Sequence, residues 1–403
     1  MKATKKTTLA SSLLVSGLLL SGCGWLGGFF DDTDTDSPDT SEEIPADDNG
    51  SEVPDSNTDT DTDTETDVDP DEDTEGDDTE DEAEVDVDQD ITVWFPMLED
   101  TLLDYEGQGN EFAPFTAYPQ FVKDDTLQMV ESTGGTDMVT IYEYSDTEVR
   151  EIFKRGETYF REDFVDTNLP SEQDDFEIIL QQPLEEGHSW ESPNGSMSEI
   201  TGVNIDKELA FGSVVALEVT RSTEDGSEII EYYGENIGLV ERIFRTEESD
   251  EEVSSTLTTL SEDTPEEFML TVYNVDDQAM GLESSEVTME LFTNDPARMA
   301  IAEILRGQVP DTEAAQVIAE SVEINFMYLR QDGVVHVDFS ADLADMNAGS
   351  GVEAMILQGI VNTIGGYYNV EEVMLTLDNE PYESGHILLE EGETISVDHS
   401  NVN

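Results

Sequence analysis

Ninety-eight of the chain's 403 residues are Asp or Glu and only 15 are Lys or Arg, a formal net charge of -83. Where those acids sit decides what can fold. Residues 31–90 hold 30 of them and no base, in runs such as Asp59-Thr60-Asp61-Thr62-Asp63-Thr64-Glu65. Such a stretch buries too little apolar surface to offset the entropy of ordering it. Residues 24–90 therefore read as a disordered acidic tether. Flexible-coil scaling, roughly 5–6 Å × √n, gives its 60 acidic-tract residues a reach on the order of 45 Å, and self-repulsion lengthens it. The remaining 68 acids share residues 91–403 with 12 Lys and Arg, leaving that part near -56. Phosphate recognition needs a basic footprint that is missing here, so nucleic acid is excluded as a partner. An anionic bilayer repels the body of the chain for the same reason. Within the tether, Asp71, Asp73, Glu75, Gly76 and Glu82 follow EF-hand spacing, but Asp78 stands where that loop is apolar and no helix is readable beside it. In a half-acidic tract that spacing arises by chance, and no metal site is assigned.

At the N-terminus Lys2, Lys5 and Lys6 precede a leucine-rich stretch from Leu9 to Leu20. It is short for a bilayer span, which takes about 20 apolar residues, and suits a signal h-region. Leu20-Ser21-Gly22-Cys23 follows. This resembles the bacterial lipobox, and Cys23 is the single cysteine of the chain, so no internal disulfide can form. The alternative is an ordinary secretory signal with an incidental cysteine. The lipobox reading makes residues 1–23 a lipoprotein signal peptide and holds the mature chain by diacylglycerol on Cys23, at the extracytoplasmic face of the cell membrane. Burial of acyl chains contributes about 0.8 kcal/mol per CH₂, and two chains suffice for stable anchoring.

From residue 91 the composition changes. Short aromatic and β-branched runs appear at Thr92–Phe95, Met138–Tyr142, Phe176–Leu180, Val214–Val219, Ile229–Tyr233 and Leu239–Phe244. Gly134-Gly135, Asn194-Gly195 and Asp225-Gly226 punctuate them. Residues 91–260 thus read as an antiparallel β-meander domain. Gly187-His188-Ser189-Trp190, the strand around Val219, Tyr232-Tyr233-Gly234 and Gly238-Leu239-Val240 resemble a β-rich region of Gram-positive lipoproteins, a likeness that carries no chemistry. Trp94 and Trp190 read as packing residues.

Residues 264–403 form an α+β partner. A strand near Phe268–Tyr273 opens it. Asp295-Pro296 reads as an N-cap and first-turn proline ahead of Ala297, Ala300, Ile301, Ile304 and Leu305, ending at Gly307. Ile324–Leu329, Asp332-Gly333 and Val334–Phe339 make a hairpin. Ser350 with Glu353 reads as a capping box for a helix lined by Val352, Met355, Ile356, Ile360 and Ile364 and stopped by Gly365-Gly366. Val373–Leu377 closes a β-α-β-β-α-β order. Pro296 to Gly307, Gly333 to Ser340, Gln358 to Ile364 and Val370 to Leu377 resemble the GerMN sporulation and spore-germination domain. The usual Asp-Gly after the last strand is Asp378-Asn379 here, and one such domain is present where the sporulation protein of the family is a tandem pair. The resemblance implies a non-enzymatic envelope module, related in shape to ring-building domains of secretion-type assemblies, that binds other proteins.

Catalytic constellations are not readable. His188, His336, His386 and His399 are scattered outside metal-ligand spacings. Ser350 sits in Gly349-Ser350-Gly351, which is no nucleophile elbow, and carboxylate pairs carry little information at this composition. The sequence thus predicts a lipid-anchored interaction or assembly module of the cell envelope linked to sporulation or germination, without catalytic residues, metal or cofactor. Its partners are the membrane, through Cys23, and unidentified envelope proteins, with self-association open. The alternatives are a lipoprotein that binds peptidoglycan or a germinant through aromatic residues of the β-rich domain, or an envelope hydrolase. A compact body near -56 repels itself in dilute buffer, whereas molar salt shortens the Debye length to about 3 Å. The host is therefore expected to live in high salt. The melting temperature should rise between about 0.1 and 3 M NaCl; a midpoint indifferent to salt contradicts this.

Overall fold

The computed structural model describes residues 87–111, 113–165, 176–222, 226–246, 252–308 and 315–403. The signal segment, the lipobox Leu20-Ser21-Gly22-Cys23 and the tether up to residue 86 lie outside the described residues. The last tether residues, 87–90, are packed against the fold. The Gln89 side chain accepts from the Leu184 N–H at 2.9 Å, and the Trp94 indole donates to the Asp88 carbonyl at 3.0 Å. Asp90 then accepts from the Thr92 N–H at 3.0 Å and starts α1 (Ile91–Trp94). This corrects the strand expected at Thr92–Phe95. Ile91 and Trp94, three apart, fall on one helical face and both are buried.

Twelve strands make one antiparallel sheet: β1 (Leu102–Gln108), β2 (Phe115–Lys123), β3 (Thr126–Thr133), β4 (Asp137–Tyr144), β5 (Glu148–Arg155), β6 (Glu177–Gln181), β7 (Ser189–Glu191), β8 (Met197–Leu209), β9 (Gly212–Ser222), β10 (Glu228–Gly234), β11 (Gly238–Arg245) and β12 (Glu252–Ser261). Each half, β1–β6 and β7–β12, is a meander, and the halves join where β1 pairs with β12. The expected turns at Gly134-Gly135 and Asn194-Gly195 lie between β3 and β4 and between β7 and β8. The sheet folds over on itself. Leu127, Tyr142 and Leu180 from one half share a core with Trp190, Leu217 and Tyr233 from the other. Its two edges are tied as well: the Trp190 indole donates to the Ile178 carbonyl and the Ile178 N–H to Ser192 Oγ, both at 3.0 Å.

Folding the sheet brings charge inside. Glu231 on β10 accepts from Arg242 Nε at 2.8 Å, from the Tyr233 hydroxyl at 2.7 Å and from Arg221 Nη2 at 3.2 Å. Arg242 reaches on to Glu131 of β3, and Arg221 to Glu177 of β6. Burial alone raises the Glu231 carboxyl, but the two guanidiniums outweigh it and hold the group down to about 2.

The C-terminal region begins with a two-stranded ribbon, β13 (Glu266–Val275) and β14 (Leu282–Leu291). It continues through α2 (Ala297–Leu305), β15 (Ile324–Leu329), β16 (Val335–Phe339), a 3-10 turn, α3 (Ser350–Tyr368), β17 (Glu372–Leu377), β18 (Glu380–Pro381) and β19 (Ile395–Ser396). Its own sheet runs β15-β16-β17-β18 with β19 also on β17, and β16 and β17 are parallel. The expected elements occur in the expected order along the chain, but the single small sheet is corrected: the opening strand pairs with β14 in a separate ribbon, and two short strands after β17 join the sheet of β15, β16 and β17. Val335, Val337 and Phe339 face the core, as their alternation predicts, with Ile301, Leu305, Ile360 and Ile364 packed on them. Gly359 lets α3 lie against the ribbon, since a Cβ there would stand 2.5 Å from the Tyr273 carbonyl oxygen.

Three boundary readings are corrected. Asp295 does not cap α2; its carboxylate accepts from the Phe292 N–H at 3.0 Å, and Pro296 precedes the first helical residue. Ser350 is already inside α3 behind Gly349, and Glu353 turns inward to accept from the Tyr382 hydroxyl at 2.9 Å and from Ser384. Gly365-Gly366 does not stop the helix, which runs to Tyr368 and ends at left-handed Asn369. Gly365 is there for packing, because a Cβ would meet the Val397 side chain at 2.3 Å.

The Glu231 carboxyl is depressed from 4.5 in the fold, so its contribution is present above the unfolded value and lost as pH falls through the window from about 4.5 to about 2. Glu231→Gln should cost on the order of 3 kcal/mol near neutral pH and flatten the acid limb of the stability curve. Urea denaturation at pH 7 and pH 3 checks both; an unchanged midpoint at pH 7 contradicts the assignment.

Candidate functional site at the seam of the two regions

Residues 80–403 form one compact unit, and the seam between sheet and C-terminal region is built around Arg161. Its side chain is fully buried. The guanidinium donates to the Leu291 carbonyl at 3.2 Å, the Phe292 carbonyl at 2.6 Å and the Gln120 carbonyl, and pairs with Glu266 at 3.4 Å. The Arg161 backbone N–H donates to the Tyr367 hydroxyl of α3 at 2.8 Å. The plane also lies over the Phe121 ring, 4.9 Å from its centre. Pro119 makes this possible. It lacks an N–H inside β2, where a bulge between Pro119 and Phe121 frees the Gln120 carbonyl for Arg161 and for the Asn294 N–H at 2.9 Å. The Gln120 side chain in turn donates to both oxygens of Glu266 at 3.1 Å. Burial pushes Glu266 up to about 7 even though Arg161 opposes it. The next residue, Glu162, accepts from the Leu329 N–H at 3.0 Å and so occupies a donor of strand β15.

Beside this network lies a cleft of about 730 Å³. One wall comes from β1–β4 (Leu102, Thr116, Tyr118, Val130, Ser132, Asp137), the other from the start of β13 (Glu266 to Met269) and the end of α3 (Gly366, Tyr367), with Tyr159 between them. Among the described residues three carboxylates line it, Asp137, Glu266 and Glu267, and no Lys or Arg does. Asp137 is half-buried, and burial raises its carboxyl although Ser132 donates to it. The described cations of the fold are already engaged, Arg161 with Glu266 of the cleft wall and the others away from it. Among the described residues nine of the twelve Lys and Arg after residue 90 sit in ion pairs. Arg298 and Arg306 donate to the Ile324 and Val322 carbonyls, and Arg155 lies over Phe160 and Phe164.

The residues singled out in the sequence fall apart in space. Trp94 and Trp190 are core residues, and His188 lies against Trp190, ring centres 5.8 Å apart. His386 is in the loop after β18, and His399 packs near Tyr273. His336 is in a polar run on the outer face of the small sheet: Tyr328 hydroxyl to Nδ1 at 3.3 Å, Nε2 to Thr376 Oγ1 at 2.9 Å, Thr376 Oγ1 to Asp338 at 2.6 Å. Asp338 also accepts from the Asn379 N–H and the Asn325 amide, each at 2.8 Å. Thr376 gives its proton to the carboxylate, so His336 donates to it, the reverse of what activation of a nucleophile needs. The run instead latches the turn at Asp378 and Asn379, both left-handed with φ of 48° and 68°. Among the described residues no group of three His, Cys, Asp or Glu side chains could hold a metal ion. Arg161, Gln120 and Asp137 were not singled out from sequence. The proline within an otherwise apolar strand at Pro119 was the available signal.

Residues 271–383 match the Germane family, described as sporulation and spore germination. The chain therefore carries a Germane domain running from within β13 to just past β18. Among solved structures, the first GerMN domain of the sporulation protein GerM from Bacillus subtilis is 18% identical, with a TM-score of 0.23, over 30% of this chain and 94% of that one. A candidate lipoprotein from Clostridium perfringens is 12% identical, with a TM-score of 0.21, over 33% of this chain and 87% of that one. A candidate exported protein with a YmcC-like fold from Bacteroides fragilis is 10% identical, with a TM-score of 0.28, over 42% of this chain and 99% of that one. No curated protein matches the chain. No described helix is long and apolar enough to cross a membrane.

Proposed function

We propose that this chain, with its Germane domain at residues 271–383, is a lipid-anchored protein of the extracytoplasmic membrane face. There it binds another envelope protein in sporulation or germination and turns over no substrate. The observation that carries the reading is the Germane domain, described by its role in sporulation and germination, placed behind a lipobox at Cys23 and a tether with 30 acids in residues 31–90. The tether holds the compact folded part away from a bilayer that would repel it. Glu266, its carboxyl raised by burial, has both oxygens bonded to Gln120 and one also to Arg161, which suits a structural role better than acid catalysis. The cleft of about 730 Å³ favours a second reading, in which a small envelope ligand is bound, because its size lies within the usual range for ligand sites.

Two measurements on the full chain test this. Cys23→Ala should move the protein from the membrane pellet to the soluble fraction of the host. Affinity capture from envelope extract in molar salt should recover a stoichiometric protein partner. Retention of a glycan or small molecule with no protein would replace the first reading by the second, and membrane retention of Cys23→Ala would overturn the anchor.

A further inference from the structure

The seam cleft is amphipathic in a specific sense. Of its carboxylates, Asp137 and Glu266 are partly buried and Glu267 is exposed, and at its mouth Tyr159 and Met269 are 48% and 64% exposed. A ligand that fits has an apolar stem and a cationic tip. We propose that this cleft binds an alkylammonium group of the kind a lysine side chain carries, with Asp137 and Glu267 facing the charge and the rings of Tyr118, Tyr159, Phe268 and Tyr367 facing the stem. The inference deepens the binding reading above by naming the chemistry that the partner presents, and it rests on that reading for the partner's existence.

Four observations converge on a cation of this class. Asp137 has no cationic partner: Ser132 is the one side chain seen to favour its charged form. Among the described residues no Lys or Arg lines the cleft, and Arg161, which stands behind Glu266, is already bonded to that carboxylate and to carbonyls, so an anion finds no free base to pair with. The walls are aromatic as well as acidic, and ring faces attract ammonium and guanidinium groups by cation–π contact. A bare metal ion is the poorer fit, since it demands several oxygen donors at short range and no group of three candidate ligands occurs among the described residues. An ammonium on a four-carbon stem matches both parts, because such chains lay their methylenes on apolar surface and keep the charge at a polar end. A partly enclosed pair is also screened less by salt than a surface one.

The test uses the full chain and three probes in calorimetric titration at about molar salt: Nα-acetyl-lysine methylamide, the same compound acetylated on Nε, and cadaverine. The lysine amide should bind, and Nε-acetylation, which removes the charge and keeps the stem, should abolish binding. Asp137→Asn should weaken the lysine amide about tenfold, the scale of one lost charge-assisted contact, at an unchanged melting temperature. Glu267→Gln, on an exposed side chain, gives an independent variant should Asp137→Asn fail to fold, with loss in the same direction. Lysine amide bound more tightly than cadaverine points to a protein-borne lysine; the reverse order points to a free amine, with the same cleft chemistry. Equal binding of the acetylated probe, or no binding of either amine, overturns the inference. If a captured protein is still retained by Asp137→Asn while neither amine binds, the protein-binding reading stands and this site falls.

Discussion

A guanidinium with no access to water depends on acceptors in protein, and Arg161 ties together β2, β13 and β14 through its side chain and α3 through its backbone, its Nε being left without an acceptor among the described residues. Its side chain is fully buried. It takes a carbonyl from the β2 bulge, two from the end of β14 and a carboxylate from β13, while its backbone engages Tyr367 of α3. Removing any one of these leaves a buried charge under-bonded, at a cost of several kcal/mol. The sheet and the Germane region are therefore not free to slide past each other. The apolar contacts across the seam follow the same arrangement: Tyr118, Val130, Ile141, Phe160 and Phe164 from the sheet side share one core with Leu270, Met289 and Ile304. The cleft is what remains beside that junction.

The same scarcity of cations organises the rest of the charge. With 12 bases against 68 acids after residue 90, the fold places two of its arginines, Arg161 and Arg221, in the interior. Arg221 and Arg242 clamp Glu231 within one half of the large sheet and reach Glu177 and Glu131 of the other, and Arg161 clamps Glu266 at the seam. A few surface carboxylates, such as Glu252 and Asp332, pair with exposed arginines, and with so few bases most others have none. This division explains how a chain so acidic still builds two polar networks that hold together, and it leaves the cleft acidic by default. An approaching partner meets a strongly negative chain and, at the cleft, the exposed Tyr159 and Met269.

Local chemistry was legible in the sequence where a short stretch decides the structure. Asp332-Gly333 gave the β15–β16 hairpin, the stripe from Ala297 to Leu305 gave α2, and Val335, Val337 and Phe339 gave the buried face of β16. Legibility failed where a distant group takes over a local signal. Ser350 and Glu353 spell a capping box, but Tyr382 and Ser384 claim Glu353. Gly365-Gly366 spells a stop, but Val397 packs on Gly365 and the helix goes on. β14 was missed because its first half, Glu283 to Glu286, is polar, and its alternation is readable only from Val287 to Leu291. The site was the least legible part. Arg161 lies in an irregular segment between β5 and β6 with no pattern of its own, and its partners stand from 41 to 206 positions away in sequence.

The account turns on whether Arg161 makes one cooperative unit of the two regions. Thermal unfolding of the full chain, followed by tryptophan fluorescence for the sheet (Trp94 and Trp190 both lie in its core) and by hydrogen exchange of β13, β14 and α3 for the Germane region, measures this directly. The wild-type chain should lose both signals in one transition. Arg161→Met should separate them, the Germane region opening first while the tryptophan signal holds. Coincident transitions in Arg161→Met at an unchanged midpoint would contradict the central role given to the seam.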